Sequence, residues 1–165
     1  MIKQWMLCSL FTMIAVLSSG CLQQEQVRTI VFSDGSKYVG EIHNNMKQGY
    51  GKMTWPDGDV YEGYWDKDLM HGKGTLVTAN GDRYEGEWAA GKRSGQGTLK
   101  QKSGETYTGQ WKDGMKNGYG VNQWPDGSKY EGEWQNGLRH GKGRMTGADG
   151  TVEEGRFIND VFVGK

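Results

Sequence analysis

The residues of this 165-residue chain whose types could do chemistry are histidines and glutamates that stand among glycines. His71 and His140 each begin the tetrapeptide His-Gly-Lys-Gly, and an imidazole can bind a metal or transfer a proton. The glutamates that could be interpreted as catalytic are Glu62, Glu85, Glu87, Glu131 and Glu133. The tripeptides Gly-Tyr-Gly and Gly-Lys-Gly also suggest loops that cradle phosphate groups.

The spacing of these residues favours a structural interpretation. The two histidines are 69 residues apart at one phase of a repeat, which places them ~29 Å apart in a sheet, too far to share a metal. The glutamates recur because the repeat recurs, and Lys73, Lys142 and Arg144 are expected to face them in a solvated ladder. The glycine motifs fall within predicted strands, whereas phosphate-binding loops lead into a helix. We therefore predict no catalytic residue, no metal site and no cofactor.

A repeat of 23 residues positions these side chains. The first five copies begin with Tyr-x-Gly, and in them Gly-x-Gly follows eleven residues after the tyrosine. The six copies begin at Tyr38, Tyr61, Tyr84, Tyr107, Tyr130 and, with a substitution, Glu153. Residues 47–74 also match residues 116–143, as if a block of three repeats had been copied. Self-similarity of fixed period is typical of a stacked repeat protein whose units complete their core against their neighbours.

Each repeat is predicted to be a β-hairpin. In the repeat at residues 82–104, segments 84–88 and 95–99 alternate large or glycine residues with charged or polar ones, as half-buried strands do. Asp-Gly and Asn-Gly dipeptides separate the units and supply the positive φ that tight turns require. No window has a helical period. We predict an all-β fold: an elongated, curved, single-layer antiparallel sheet of stacked hairpins, with up to twelve strands.

Side-chain alternation predicts an interlocked aromatic face. Tyr84, Gly86 and Trp88 point to one face of the sheet, and Gly95 and Gly97 of the second strand are expected to share it. Glycine normally weakens a strand, and close approach by another group is its usual justification. We expect aromatic rings to lie across the bare glycine backbone and to interlock from unit to unit.

The first 20 residues have the composition of a secretory signal peptide, which is expected to be helical. A short basic start precedes a mostly apolar stretch, residues 5–17, that ends in small residues. Residues 17–21 resemble a bacterial lipoprotein signal, with Ser18 at a position that usually holds a branched aliphatic residue. The resemblance implies lipid attachment at Cys21. The alternative is ordinary cleavage before Cys21, which leaves a free thiol.

The rest of the chain divides into a short tether, residues 21–33, and the repeat array, residues 34–165. Cys8 would leave with the signal peptide, so one cysteine remains and no internal disulfide is expected. Lysines and arginines number 20, and so do aspartates and glutamates. The formal net charge of zero gives no bulk attraction to nucleic acid, and we expect no nucleic-acid partner.

The pattern Tyr-x-Gly-x-Trp, then Gly, then Gly-x-Gly, at this spacing, resembles the MORN repeat (membrane occupation and recognition nexus). The best copies are residues 84–97 and 130–143, and the resemblance covers residues 34–165. It implies antiparallel β-hairpins stacked into an elongated, curved sheet, and a role in protein association or attachment near membranes. Enzymes with MORN arrays, such as some phosphatidylinositol phosphate kinases, do their chemistry in a separate domain. A kinase-type assignment would therefore reflect the repeats alone.

We therefore expect a non-enzymatic, membrane-tethered recognition or scaffold module of the bacterial cell envelope. Tyr50, Tyr64 and Tyr119 are expected on the charged face, either as anchors for a protein partner or as ordinary strand residues. The alternative function is direct binding of phospholipid or glycan, and arrays could also self-associate. Leu22 is not the aspartate that retains lipoproteins in the inner membrane of enteric-type bacteria. This favours the periplasmic side of the outer membrane or the cell surface.

Overall fold

A computed structural model describes residues 26–165, so the predicted signal peptide, Cys21 and Leu22 lie outside the described residues. The described part forms one open sheet of thirteen strands, without a helix, in which each strand pairs antiparallel with the next along the chain. This confirms the predicted all-β sheet of stacked hairpins. The strands are β1 (Gln26–Val31), β2 (Lys37–His43), β3 (Met46–Thr54), β4 (Val60–Asp66), β5 (Leu69–Val77), β6 (Arg83–Ala89), β7 (Lys92–Lys100), β8 (Thr106–Lys112), β9 (Met115–Gln123), β10 (Lys129–Gln135), β11 (Leu138–Thr146), β12 (Val152–Ile158) and β13 (Val161–Gly164).

The hairpin inside each repeat closes with a two-residue turn in which both residues have positive φ. In the fifth repeat these residues are Asn136, at 50°, and Gly137, at 87°. In the third they are Ala90, at 48°, and Gly91, at 77°. Two consecutive left-handed residues define the type I′ turn, whose twist matches that of the flanking strands. An alanine is unusual at such a position because its Cβ crowds the backbone.

The connections between repeats are the Asp-Gly loops that the sequence predicts. In the loop from β3 to β4, Trp55 N–H donates to the carbonyl of Asp59 at 2.9 Å. Gly58 has a φ of 98°, and the carboxylate of Asp57 accepts the N–H of Asp59 at 3.0 Å. The aspartate thus replaces a missing backbone acceptor, and the glycine supplies the left-handed step.

Strand β1 extends the sheet beyond the twelve strands predicted, and β13 is the second strand of the sixth repeat. Residues 26–31, which lie within the segment expected to be a tether, pair with β2 along their whole length. The four residues of β13 pair with β12 only between Arg156 and Ile158. Strand β1 covers backbone donors and acceptors that β2, the first repeat strand, would otherwise leave open.

A β-bulge interrupts the hairpin of each repeat at the first glycine of Gly-x-Gly. In the third repeat Gly86 pairs with Gly97, but the next residue, Glu87, pairs with Ser94. Gly95 lies in the bulge with a φ of 55°, and a Cβ added there would meet the carboxylate of Glu87. The prediction that Gly95 shares the aromatic face is therefore wrong, because the bulge reverses its direction. Gly97 lies where the sequence predicts it.

Candidate recognition surfaces

One face of the sheet, here the aromatic face, is a ladder of tyrosines packed onto glycines. In the third repeat the ring of Tyr84 lies over the backbone of Gly86 and Gly97 and fills the space where their side chains would be. The hydroxyl of Tyr84 donates to the carbonyl of Glu87 at 3.0 Å. The same arrangement occurs in all five repeats, at Tyr38, Tyr61, Tyr84, Tyr107 and Tyr130, and each of these tyrosines is at most 2% exposed.

Each tryptophan of this face joins two repeats. Trp88 meets the ring of Tyr84 at 5.1 Å and that of Tyr61, in the preceding repeat, at 5.3 Å, both nearly perpendicular. Its indole N–H donates to the carbonyl of Gly74 at 3.1 Å. Trp65, Trp111 and Trp134 repeat this pattern, and Phe157 ends the ladder. The predicted interlocking of aromatic residues and glycine from unit to unit is confirmed.

Burial sets the ionisation of the five ladder tyrosines. It raises the pKa of Tyr38, Tyr84 and Tyr130 to about 12, and it also raises the pKa of Tyr61 and Tyr107. A phenolate in these positions would lose its hydration. The ladder hydroxyls are therefore neutral donors at neutral pH, which suits the structural hydrogen bonds that they make.

A row of cations lies over the rings, a feature that the sequence analysis missed. The guanidinium of Arg93 lies 4.4 Å from the ring of Trp111 and 5.6 Å from that of Tyr84. The ammonium of Lys116 lies 4.9 Å from both Tyr107 and Trp134. Such contacts stabilise a partly desolvated cation through the ring quadrupole. The signal was a shared phase at 23-residue spacing: the cations are Lys47, Arg93, Lys116 and Arg139, and Met70 holds the same phase in the second repeat.

The fourth repeat replaces an apolar contact of the ladder by a polar one. Asn122 is fully buried where the other repeats have Met53, Leu76, Leu99 and Met145. Its side-chain oxygen accepts a hydrogen bond from Lys116 Nζ at 2.7 Å, and Lys116 also pairs with Glu105 at 3.2 Å. The amide nitrogen of Asn122 has no hydrogen-bond partner among the described residues.

The opposite face, here the polar face, exposes the three tyrosines that do not belong to the ladder. Tyr50, Tyr64 and Tyr119 are 46%, 51% and 54% exposed, on the face predicted for them. Tyr50 and Tyr64 form an edge-to-face pair with ring centres 5.5 Å apart. The hydroxyl of Tyr50 donates to Glu62 at 3.2 Å, and that of Tyr119 donates to Glu131 at 3.1 Å. The side chain of Tyr64 lies beside Gly72, but within residues 26–165 none of these rings lies over two glycines or pairs with a tryptophan ring, so the fold does not require them as it requires the ladder.

Three of the five glutamates predicted on the polar face, Glu62, Glu85 and Glu131, lie in exposed ion pairs, whereas Glu87 and Glu133 make none within residues 26–165. Lys52–Glu62 at 3.8 Å and Arg144–Glu154 at 3.6 Å join adjacent strands, as the predicted ladder requires. The other pairs differ from the prediction because they join residues two apart on one strand: Arg83–Glu85 at 2.9 Å and Lys129–Glu131 at 2.8 Å. Lys73 and Lys142, predicted members of the ladder, make no ion pair within residues 26–165. Exposed pairs of this kind add little stability.

The two histidines are not brought together with other ligands. His71 is exposed, and the Nδ1 atom of His140 is buried without a hydrogen-bond partner in the described part of the chain. Among residues 26–165 no three histidine, cysteine or carboxylate side chains are close enough to hold a metal ion. The same residues include no helix of the length and apolar character needed to cross a membrane.

The family that matches this sequence is defined by the same 23-residue repeat. The MORN repeat model matches five consecutive units, at residues 38–60, 61–83, 84–106, 107–129 and 130–152. The sixth unit predicted from the sequence, which begins at Glu153, is not matched, although its hairpin continues the sheet. No curated protein matches the sequence.

Solved structures with a related outline are TCP-type domains. The SAS-4 (dCPAP) TCP domain of Drosophila melanogaster, in complex with a proline-rich motif of Ana2, is 15% identical, with 78% of this chain and 88% of that chain covered and a TM-score of 0.34. The wild-type TCP10 domain of Danio rerio CPAP, in complex with a STIL peptide, is 13% identical over 81% of this chain and 70% of that chain, with a TM-score of 0.30. TM-scores of this size support no conclusion about function.

Proposed function

Because the chain belongs to the MORN repeat family, we propose that it is a recognition module that holds a protein partner on its polar face. The MORN repeat is a non-enzymatic module, and we propose that this chain likewise acts by binding rather than by catalysis. One observation carries the proposal: Tyr50, Tyr64 and Tyr119 are about half exposed, whereas the five ladder tyrosines are at most 2% exposed. Exposed tyrosines with little conformational freedom are the side chains that commonly dominate binding at protein interfaces.

A retention experiment tests this function. The chain without residues 1–21 is immobilised and exposed to an extract of the cell envelope, and retained proteins are identified by mass spectrometry. The variant Tyr50→Ser/Tyr64→Ser/Tyr119→Ser should lose the specific partner but keep the fold. The matched control, Thr98→Ala/Thr108→Ala, changes exposed residues of the same face whose hydroxyls bond each other at 3.1 Å, and it should retain the partner. Equal retention by all three proteins would contradict a role for the tyrosines.

Direct binding of lipid is the competing outcome. The edge-to-face pair of Tyr50 and Tyr64 offers an apolar surface that could enter a headgroup layer or lie against a sugar ring. Flotation of the chain without residues 1–21 on liposomes separates the two functions, because the predicted lipid anchor is then absent. Flotation that depends on the three exposed tyrosines would show that they bind a membrane and not a protein partner.

The proposed place of action is the bacterial cell envelope, through a lipid on Cys21. The support is the sequence from residue 17 to residue 21 and the small residues before Cys21. Several acyl chains on one cysteine would hold the array stably at a membrane, and Leu22 favours the outer membrane or the cell surface. The intact mass of protein extracted from membranes checks this: an unmodified Cys21 would remove the anchor from the proposal.

A further inference from the structure

The cation row of the aromatic face differs from repeat to repeat in whether the chain supplies an acid. Arg139 Nε donates to the carboxylate of Asp160 at 2.9 Å, and Lys116 pairs with Glu105 at 3.2 Å. At the first position Asp68 is adjacent, and its carboxylate accepts the N–H of Lys47 at 2.8 Å. The second position holds Met70, which needs no acid. At the third position, Arg93, no carboxylate from residues 26–165 pairs with the cation.

Arg93 is half-buried and has unused hydrogen-bonding capacity. Its guanidinium stacks on Trp111 and Tyr84, but it has neither an ion-pair partner nor a hydrogen-bond acceptor among the described residues. A guanidinium carries five donors in a planar fork that fits a carboxylate. Removing such a group from water without an acceptor is unfavourable. The guanidinium donors are therefore available to an acceptor that residues 26–165 do not provide.

The repeat shows where that partner would sit. Asp160 follows Arg139 by 21 residues, and its N–H donates to the carbonyl of Arg139 at 3.0 Å. Gly114 follows Arg93 by the same interval and makes the same backbone bond at 2.9 Å. The two positions are equivalent, but Gly114 has no side chain, and a Cβ added there would have no heavy atom within 4 Å. The space that the acid fills beside Arg139 is therefore open beside Arg93.

The segment that contains this space has an excess of positive charge. Residues 90–118 contain six lysines and arginines against two acids, in a chain whose total charge is balanced. Lys92, Lys100, Lys102 and Lys112 are exposed and make no ion pair within the described residues. Unpaired positive charge attracts and orients an acidic partner before contact is made.

We propose that Arg93 and the open space beside Gly114 form a binding site for a carboxylate of a protein partner, an aspartate or glutamate in an acidic segment. The bound carboxylate lies over the third hairpin as Asp160 lies against Arg139, and accepts hydrogen bonds from the guanidinium. The site is on the aromatic face, so it goes beyond the tyrosine surface of the polar face and does not depend on it.

The test uses the full-length chain in mild detergent and a fluorescein-labelled peptide of alternating glutamate and alanine. Fluorescence anisotropy measures affinity, and the Nε–Hε resonance of Arg93 reports occupation of the site. Arg93→Met, which imitates Met70 of the second repeat, should weaken binding about tenfold, the effect of losing charge-assisted hydrogen bonds. Gly114→Asp should weaken it similarly, because the chain then fills the site itself, and Asp160 shows that aspartate tolerates this backbone, with a φ of 70°.

Matched controls separate the carboxylate from other effects. Gly114→Asn adds the same bulk without charge and should bind the peptide more tightly than Gly114→Asp does. Gly137→Asp places the new acid in the next repeat, where Lys116 already has Glu105, and should leave binding nearly unchanged. Melting temperatures establish that all variants are folded.

The outcomes are distinct. Loss of binding in Arg93→Met and Gly114→Asp alone, with no peptide-induced shift of the Arg93 resonance in Gly114→Asp, supports the proposal. Equal binding by Gly114→Asp and the unmodified chain would overturn it, and so would equal binding of a peptide in which glutamine replaces glutamate. Vesicles of phosphatidylglycerol provide the other arm: vesicle binding that requires Arg93, without peptide binding, would also overturn the assignment to a protein carboxylate. The polar-face tyrosine variant should bind the peptide normally, so this proposal can fail while the proposed function stands.

Discussion

The two faces of the sheet use the same repeat in opposite ways. On the aromatic face each repeat from the first to the fifth places a tyrosine over two glycines, and each is followed by a tryptophan or phenylalanine that joins it to the next. On the polar face equivalent positions differ: the residue between the two glycines of Gly-x-Gly is Tyr50, Lys73, Gln96, Tyr119 or Lys142. The packing that stabilises the sheet thus repeats every 23 residues, whereas the exposed side chains of the polar face do not. The difference teaches that the informative residues for function are those that break the period.

High pH should lower the stability of the aromatic face more than any of the substitutions below. The ladder tyrosines have folded-state pKa values raised above the unfolded value of about 10, to about 12 for Tyr38, Tyr84 and Tyr130. Their contribution to stability is complete below pH 10 and is lost as the pH rises from 10 towards 12. Each of the five tyrosines contributes to this loss, because ionisation of a buried hydroxyl favours the unfolded chain. Urea unfolding at pH 8.5 and pH 11 measures the loss; equal midpoints would contradict the burial of these hydroxyls.

A side chain on a ladder glycine should have the next largest effect. A Cβ at Gly86 would come within 2.6 Å of the carbonyl of Gln96 and 2.7 Å of the hydroxyl of Tyr84. Gly86→Val should cost about 3 kcal/mol or more, because backbone on the neighbouring strand cannot move aside. Glu85→Ala, on the polar face one residue away, is the control and should cost less than about 0.5 kcal/mol. Similar melting temperatures for the two variants would refute the packing of tyrosine on glycine.

Substitutions in the polar cluster of the fourth repeat test whether Lys116 and Asn122 stabilise the ladder. Lys116→Met removes the partner of Asn122 and Glu105 and should cost about 2 kcal/mol, because two acceptors lose a charged donor. Adding Asn122→Leu recreates the pair Met70 and Leu76 of the second repeat, and most of the loss should return. Thermal unfolding of the single and double variants gives the answer. A double variant no better than the single one would show that the cluster has a value of its own.

The type I′ turns allow a smaller, reciprocal test. Ala90 has a φ of 48° at the position where Asn136 has 50°. Ala90→Asn should stabilise the protein by about 1 kcal/mol, since asparagine tolerates left-handed backbone better than alanine does. Asn136→Ala should destabilise it by a similar amount. Chemical denaturation of both variants measures the two changes, and shifts in the same direction would contradict the assignment of these turns.

The smallest effect is expected on the polar face. Tyr119 is 54% exposed and its hydroxyl contacts Glu131, an exposed partner. Tyr119→Ser should change the free energy of unfolding by less than about 0.5 kcal/mol. A loss comparable to that of a ladder residue would show that the polar face also holds the fold, and it would weaken the proposal that its tyrosines serve recognition.

Period and alternation were enough to predict the hairpins, the Asp-Gly loops and the burial of Tyr84 and Trp88. Period and alternation did not predict β1, because residues 26–31 lie before the first copy of the repeat. A single strand that pairs at the edge of a sheet has no repeated counterpart in the sequence. The prediction failed at Gly95 because simple alternation assumes a regular strand, whereas a bulge shifts the alternation. The left-handed backbone at that glycine is a tertiary consequence of hairpin twist.

The candidate sites were predicted unevenly. The exposure of Tyr50, Tyr64 and Tyr119 followed from parity alone. Arg93 was missed because a charged residue in a strand is normally solvated, and its stacking on Trp111 depends on register between neighbouring hairpins. The empty space at Gly114 emerges only when the fifth repeat is compared with the third in three dimensions.

Pairing strictly in chain order has an evolutionary consequence. Since each strand touches only the strands before and after it, excision or insertion of 23 residues joins surfaces that already fit. The copied segment at residues 47–74 and 116–143 is what such growth leaves behind. Adding whole repeats changes the length of the sheet and the number of its binding positions, while the contacts between the other repeats keep their geometry.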